Sequence, residues 1–172
     1  MKFKLLFLFF IFTSVGSFAQ LSIDGTLIYL TEKTNECADL KSTYNNPLYY
    51  RMTDLRLAYN SGDPTKIIFE ITKMYSTGSK EEEQYIFDPS QIKSFSYTTN
   101  SLDAVDFITL QMIGSTVVVT KKQDGAVRVS NASSFKVPYL KVDPLNQERM
   151  RKAFLHLRKL YEAKKGTDPF AN

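Results

Sequence analysis

The sequence predicts a mainly β domain with one C-terminal α-helix: an antiparallel sandwich or small barrel of seven or eight short strands, closed by the helix. The first observation is that runs rich in β-branched and aromatic residues recur about every 8–12 residues, with turn residues between them. The second is an amphipathic stretch over residues 144–165, which follows the last of these runs. Its apolar stripe has to be buried, and the end of a barrel or the face of a curved sheet is the available place.

The N-terminal segment, residues 1–19, has the pattern of a secretory signal peptide. It has Lys2 and Lys4 near its start, continues with an unbroken apolar run over 5–12, and ends in small residues that place cleavage between Ala19 and Gln20. The apolar run is too short to cross a bilayer, which requires about 20 helical residues. We therefore expect an exported protein, periplasmic or extracellular, with no transmembrane segment in its mature chain.

The rest of the chain is predicted to form one domain over residues 20–166, followed by a tail over 167–172. There is no internal repeat or linker, and the single cysteine, Cys37, cannot form an internal disulfide. It is therefore either a buried small hydrophobe or a free thiol. The net charge of the full chain is only +4, and two of its basic residues belong to the signal peptide. This balance argues against nucleic acid as a partner.

The first predicted strand is the short apolar run at 26–30. Residues 31–47 are polar, and the sequence leaves two alternatives for them: a long loop, or a short helix around Glu36–Lys41. A structureless loop of that length would be unusual in a compact domain.

A hairpin is predicted next, with strands at 48–59 and 65–76 joined by a turn over 61–64. Within the first strand the alternation of apolar residues slips by one position. Such a slip predicts a β-bulge near Thr53–Asp54.

Residues 77–84 are predicted to form a polar loop that contains three consecutive glutamates. Adjacent carboxylates without the spacing of a calcium loop favour a solvated segment over a cation site. Strands follow at 85–87 and 92–98, separated by a break over 88–90.

The remaining strands are predicted at 105–113, 116–120, 127–130 and 135–140. The second and third of these are joined by a hairpin turn, because Asp-Gly accommodates positive φ angles. The last strand contains Pro138, which cannot donate to a ladder, so this strand is expected at an edge or paired on one side only.

The C-terminal helix over 144–165 has Asp143 as its predicted N-cap, with Asn146 as a rival, and Gly166 as the residue after its end. Its apolar positions recur with helical spacing. They are Met150, Ala153, Phe154, Leu157, Leu160 and Tyr161. We expect Phe154 and Leu157 to anchor the helix to the sheets.

The opposite face of this helix is the candidate partner surface, defined by Arg151, Leu155, Arg158 and Lys159. Basic residues outnumber acidic ones along the helix, which would suit an acidic partner such as an envelope protein or an anionic lipid surface. The alternative, which the residue types favour, is an ordinary solvated helix face. The partner itself is unknown from the sequence.

Catalytic motifs are missing from the sequence. The glycines are isolated, so there is no phosphate-binding loop, and His156 is the single histidine, which excludes a histidine-pair zinc site. We expect His156 to be solvated, although a Cys37–His156 dyad is formally available. No cofactor or metal is predicted.

Two segments resemble a group of small exported bacterial proteins of unknown function. They are residues 89–95 and residues 148–160, the second followed by Asp168-Pro169-Phe170. The plan of antiparallel strands closed by a helix is similar to that of pleckstrin-homology-like domains. The resemblance implies a fold and an export address but no activity, and the short pair Lys121-Lys122 does not reproduce the basic phosphoinositide loop of such domains.

These observations predict a non-enzymatic binding or interaction module. The alternative is an exported hydrolase that uses carboxylate chemistry, because the spacing of two carboxyl groups is decided in space and cannot be read from the sequence.

Overall fold

Two antiparallel sheets and two α-helices make up the described part of the chain, residues 22–43, 49–99 and 103–167 of the computed structural model. The helices are α1 (Ile23–Asn35) and α2 (Asn146–Thr167). The strands are β1 (Lys41–Ser42), β2 (Tyr50–Tyr59), β3 (Ile67–Tyr75), β4 (Lys80–Phe87), β5 (Ile92–Thr98), β6 (Val105–Met112), β7 (Val117–Gln123), β8 (Ala126–Ala132) and β9 (Ser134–Leu140).

The larger sheet has the order β1-β2-β3-β4-β7-β8, and the smaller sheet has the order β5-β6-β9. All neighbouring strands run antiparallel. The prediction of a mainly β domain of two antiparallel sheets closed by a C-terminal helix is therefore confirmed, and the described strands form a sandwich rather than a closed barrel.

Three locally encoded features of the two sheets agree with the sequence. The β2–β3 register shifts between Thr53 and Arg56, where Asp54 has a φ of 52°, so the predicted bulge is confirmed. The β7–β8 hairpin turns at Asp124 and Gly125, both with positive φ, as predicted. Pro138 lies in β9, which pairs only with β6, so the predicted edge position is also confirmed.

The predicted strand at 26–30 is wrong, because these residues lie inside α1. Ser22 caps this helix by accepting a hydrogen bond from the N–H of Gly25 at 3.1 Å. Leu27, Leu30 and Thr34 share a buried stripe against β2 and α2. A short apolar run fits a buried strand or a helix stripe equally well, and packing decided for the helix.

Neither alternative for residues 31–47 holds over the described part of that range: residues 31–35 complete α1, residues 36–39 form a turn rather than a short helix, and residues 41–42 form β1. The predicted loop over 77–84 is wrong over most of its length: the turn is confined to residues 76–79, and β4 begins at Lys80. Its glutamates are held in the sheet by lysines of the neighbouring strands, and cross-strand pairs of opposite charge stabilise such a ladder.

Helix α2 extends from Asn146 to Thr167, so its predicted limits of 144–165 are shifted by two residues. Asp143 accepts a hydrogen bond from the N–H of Leu145 at 2.9 Å, just before the helix. Gly166 was expected after the helix end but lies within it. The signal-peptide residues 1–19, the Ala19–Gln20 cleavage position and the tail from 168 onward lie outside the described residues.

The apolar stripe of α2 is buried as predicted. Met150, Phe154 and Leu157 are fully inaccessible to solvent and Tyr161 is nearly so, whereas Ala153 and Leu160 at the margins of the stripe are half-buried. Helix α2 contacts α1, β6, β9 and the 3₁₀ turn Pro89–Gln91, and so covers one end of the sandwich together with α1. No helix in the described part of the chain combines the length and the apolarity that a membrane span requires.

Candidate functional site

A cleft of about 520 Å³ opens between the two sheets and is the candidate functional site. Alternation along β3, β4 and β7 turns every second side chain towards the space between the sheets. At one end of these strands the inward residues are apolar, but at the other end they are charged. The charged residues that line this inter-sheet cleft are Lys73, Glu81, Glu83, Lys121 and Lys136.

Glu83 is the centre of the charged group, because it is only 4% exposed. Its carboxylate lies 2.7 Å from the Nζ of Lys73 and also forms an ion pair and a hydrogen bond with the Nζ of Lys121. The hydroxyl of Tyr85 donates to Glu83 Oε2 at 2.7 Å. A buried carboxylate needs such partners, since an unpaired charge would be very costly to desolvate.

Glu81 lies two residues before Glu83 on the same face of β4 and extends the network. Its Oε1 is 3.5 Å from the Nζ of Lys73 and 3.7 Å from that of Lys121. Two carboxylates and two ammonium groups from three adjacent strands therefore share one cluster. The side chain of Lys121 is 46% exposed, so its ammonium group also reaches the open cleft.

Burial and the neighbouring charges shift the pKa of Glu83 in opposite directions. Burial disfavours the carboxylate, but the attraction of Lys73 and the hydrogen bonds from both lysines outweigh it, so the pKa of Glu83 lies below its ordinary value. The pKa of Lys121 is raised, because its bonds to Glu83 overcome its own desolvation. Both groups are therefore charged across the neutral range, and Glu83 cannot supply a proton as a general acid there.

Aromatic rings form the second part of the cleft lining. Tyr85 stacks on Phe135 across the two sheets, with 5.2 Å between ring centroids, and on Phe69 at 5.9 Å. Tyr50 and Tyr75 pack at 5.7 Å. Burial, followed by the charge of Glu83, raises the pKa of Tyr85 far above its ordinary value, which keeps its hydroxyl protonated as a donor.

Two further tyrosines, Tyr50 and Tyr75, and a third lysine, Lys136, also line the cleft. Burial raises the pKa of Tyr50 and of Tyr75 to about 12. Lys136, on β9, borders the cleft from the smaller sheet, where its Nζ donates to Thr98 Oγ1 at 3.4 Å, and desolvation lowers its pKa. The lining thus presents aromatic surface next to charged donors and acceptors, with a formal charge of +1 from three lysines and two glutamates.

The predicted partner surface lies on the outer side of α2, and its charges are paired locally. Arg151 contacts Glu148, and Arg158 contacts Glu162, each at 2.7 Å. Lys159 is exposed, and Leu155 is half-buried. The four residues share one helix face, as the periodicity implied, and partner binding there stays a prediction.

The dyad of Cys37 and His156 is not supported. Cys37 is fully buried, and desolvation raises the pKa of its thiol to about 12, so the reactive thiolate is absent near neutral pH. His156 is half-buried beside Tyr29 in the groove between α1 and α2, rather than fully solvated as expected. Within the described residues, no group of three or more potential ligand side chains is placed to hold a metal ion.

Sequence reasoning missed the cleft residues because it placed Glu81 and Glu83 in a solvated loop. A signal was present: Lys73, Glu81 and Glu83 have the same parity as the core residues of their strands, Phe69 and Phe87. Charged side chains that continue the inward face of a strand indicate a polar interior or a binding site.

Comparison of the chain with models of known families, with curated proteins and with solved structures finds no match. Function is therefore argued from the geometry of the cleft, since a fold alone does not specify an activity.

Proposed function

We propose that this is an exported, non-enzymatic binding module whose ligand occupies the inter-sheet cleft. The observation that carries the proposal is the buried Glu83, held by Lys73, Lys121 and Tyr85 at the base of an open, aromatic-lined cleft. Fixed charges inside a sandwich are expensive to maintain, so their position next to an accessible cavity favours recognition over packing.

The ligand class follows from the lining. The volume of about 520 Å³ lies within the usual range for small-molecule sites. The aromatic residues of the lining suit an apolar or aromatic body, and the cationic balance of the cleft suits an anionic group. A small organic anion with an aromatic or apolar body meets both requirements, with its anion placed near the solvent-reaching ammonium of Lys121.

Carboxylate hydrolysis is the rival function. Glu81 and Glu83 are two neighbouring carboxylates in a cleft, but an acid/base pair requires one carboxyl group that stays protonated near neutral pH. The lysines around Glu83 act against this, because they lower its pKa. The network therefore favours a binding role for these carboxylates.

Binding can be measured with anilinonaphthalene sulfonate, an aromatic anion of suitable size. Lys121→Gln should weaken its affinity about 3- to 10-fold, since one charged hydrogen bond is lost. The matched control is Lys122→Gln, because Lys122 is the next residue of β7 and lies on the opposite face of the sheet. Equal effects of the two substitutions would contradict the cleft as the binding site.

The position of the probe can be tested separately, because the chain contains no tryptophan. Ser130→Trp places a single fluorophore at the cleft, and Thr120→Trp places one on the outer face of the same sheet. The probe should quench the first and leave the second unchanged. If glycosides or esters are instead hydrolysed by the wild type and not by Glu81→Gln, the rival function holds.

A further inference from the structure

The outer edge of β8 differs from the other sheet edges in the described residues. β1 has only two residues, β5 has a register shift between Ile92 and Ser94, and β9 contains Pro138. Short strands, bulges and prolines are the devices by which proteins prevent edge-to-edge pairing. β8 has none of them: it has seven residues, an unbroken register with β7, and six of its seven residues are exposed.

The hairpin register indicates which backbone groups of β8 point outward. In a two-residue hairpin the pair next to the turn, here Gln123 and Ala126, exchanges both hydrogen bonds, and such pairs then alternate. Ala126, Arg128 and Ser130 therefore bond to β7. Val127, Val129 and Asn131 direct their N–H and C=O groups away from the sheet. They form a ladder without a partner strand among the described residues.

The side chains along this edge are suited to a neighbouring strand. Val127 is 59% exposed and Val129 is 67% exposed, both on the outer face of the larger sheet. β-branched residues have high strand propensity and pack well across strands. Arg128 is the one charged residue of the strand. Its side chain lies on the opposite face of the sheet, and its backbone bonds to β7. The three outward-bonding residues are therefore all uncharged.

We infer that β8 is a homodimerisation edge, on which β8 of a second copy of this chain pairs antiparallel about a two-fold axis at Val129. In that register Val129 faces Val129 of the partner subunit, and Val127 faces Asn131 of the partner subunit. All three outward-bonding residues then form hydrogen-bonded pairs, which gives about six backbone hydrogen bonds. The two larger sheets become one continuous sheet.

Charge and hydrogen bonding favour this register of a β8–β8 pair. Arg128 lies opposite Ser130 of the partner subunit, so no like charges face each other across the axis. A shift that centres the axis on Arg128 loses one bonded pair and sets two arginines opposite each other, which is destabilising. The sequence of β8 is thus complementary to itself in its best-bonded arrangement, as a two-fold interface requires.

The area of a single strand edge is small compared with the interface of a permanent dimer. We therefore expect a dissociation constant between about 1 µM and 1 mM. Sedimentation velocity over that concentration range should show a monomer–dimer equilibrium for the purified protein.

Amide hydrogen exchange gives a residue-level test. The amides of Val127, Val129 and Asn131 should become protected as the protein concentration rises through the dimerisation range. The amides of Arg128 and Ser130 bond to β7 within one copy, so their protection should not change. Protection of the three outward amides that is independent of concentration overturns the inference.

Three substitutions at one position separate the contributions of backbone and charge. Val129→Pro removes an outward N–H that has no partner among the described residues, and Val129→Lys opposes two like charges across the axis. Each should weaken dimerisation at least about tenfold. Val129→Thr retains the N–H and the β-branched shape, and should dimerise within about threefold of wild type.

Thermal unfolding at low concentration checks that the Pro variant is folded, and the Lys variant gives an independent test if it is not. The inference is overturned if wild type is monomeric at 1 mM, or if Val129→Lys dimerises like wild type. A dimer that uses another face, or a β8 edge reserved for a different protein, would give one of these results.

Discussion

The inter-sheet cleft and the outer face of α2 both combine basic residues with glutamates, but they are built differently. In the cleft, the partners come from three strands, and Glu83 meets a lysine 38 residues away. On α2, Arg151 and Arg158 meet glutamates three and four residues away on the same helix. The cleft carboxylate is 4% exposed, whereas the glutamates of α2 reach solvent.

This difference decides what the charges do for the protein. Exposed pairs on one helix are screened by water and salt and contribute about 0–1 kcal/mol each. A buried carboxylate depends on its partners, because removal of one partner leaves the other without compensation. The cleft charges are therefore coupled to folding, whereas the α2 charges can be changed with little structural effect.

The largest expected effect concerns the inner face of α2, which packs the helix onto the sheets. Phe154→Ala should lower the free energy of unfolding by about 3–5 kcal/mol, because a fully buried ring is removed and a cavity remains. Urea unfolding measures the change. A loss below about 1 kcal/mol would mean that α2 is not docked through Phe154.

The next largest effect is expected at Glu83. Glu83→Gln should destabilise the protein by about 1–3 kcal/mol, because Lys73 and Lys121 lose their main partner while retaining access to solvent. The matched control is Glu82→Gln, since Glu82 is the adjacent residue of β4 and its side chain is 46% exposed. Equal losses of unfolding free energy in the two variants would contradict the conclusion that the buried glutamate matters more for stability than the exposed one.

The pH dependence of stability sharpens the same comparison. The folded-state pKa of Glu83 is below its unfolded value, so below pH about 4 the unfolded chain binds more protons at this site. The stabilisation by Glu83 is complete above that pH and is lost as pH falls towards the folded-state pKa. Urea unfolding at pH 7, 4 and 3 should show a steeper loss for wild type than for Glu83→Gln. Parallel losses would contradict the assignment.

The smallest effect on stability is expected on the outer face of α2. Replacement of Arg151, Arg158 and Lys159 by Gln should change the free energy of unfolding by no more than about 1 kcal/mol. If this face binds an envelope protein or an anionic lipid surface, rather than being the ordinary solvated face that the residue types favour, the same variant should lose binding. Wild-type binding should also weaken as salt rises.

Vesicles with and without anionic lipid, and a pull-down from envelope extract, provide the binding measurements. Arg56→Gln is a suitable control, because Arg56 is an exposed arginine on β2, paired with Glu70. Leu155→Asp should also weaken binding, with some loss of stability because Leu155 is half-buried. Retention of the wild-type partners by the triple variant would show that this face is only a solvated surface.

The sequence by itself determined the features that depend on neighbouring residues. The bulge at Thr53–Asp54, the Asp124-Gly125 turn, the edge position of Pro138 and the buried stripe of α2 were all predictable. Each follows from local backbone preference or from the period of apolar residues within one element. The class of fold follows from the same signals.

Only the tertiary structure decided the features that depend on contacts between distant residues. Leu27 and Leu30 form a helix because their stripe is buried against β2 and α2, although the same run would also suit a strand. Glu81 and Glu83 lie in a strand because β3 and β7 place lysines beside them. The cleft depends on this strand order. The spacing of residues along the chain cannot determine it, because the charges that compensate one another come from segments far apart in sequence.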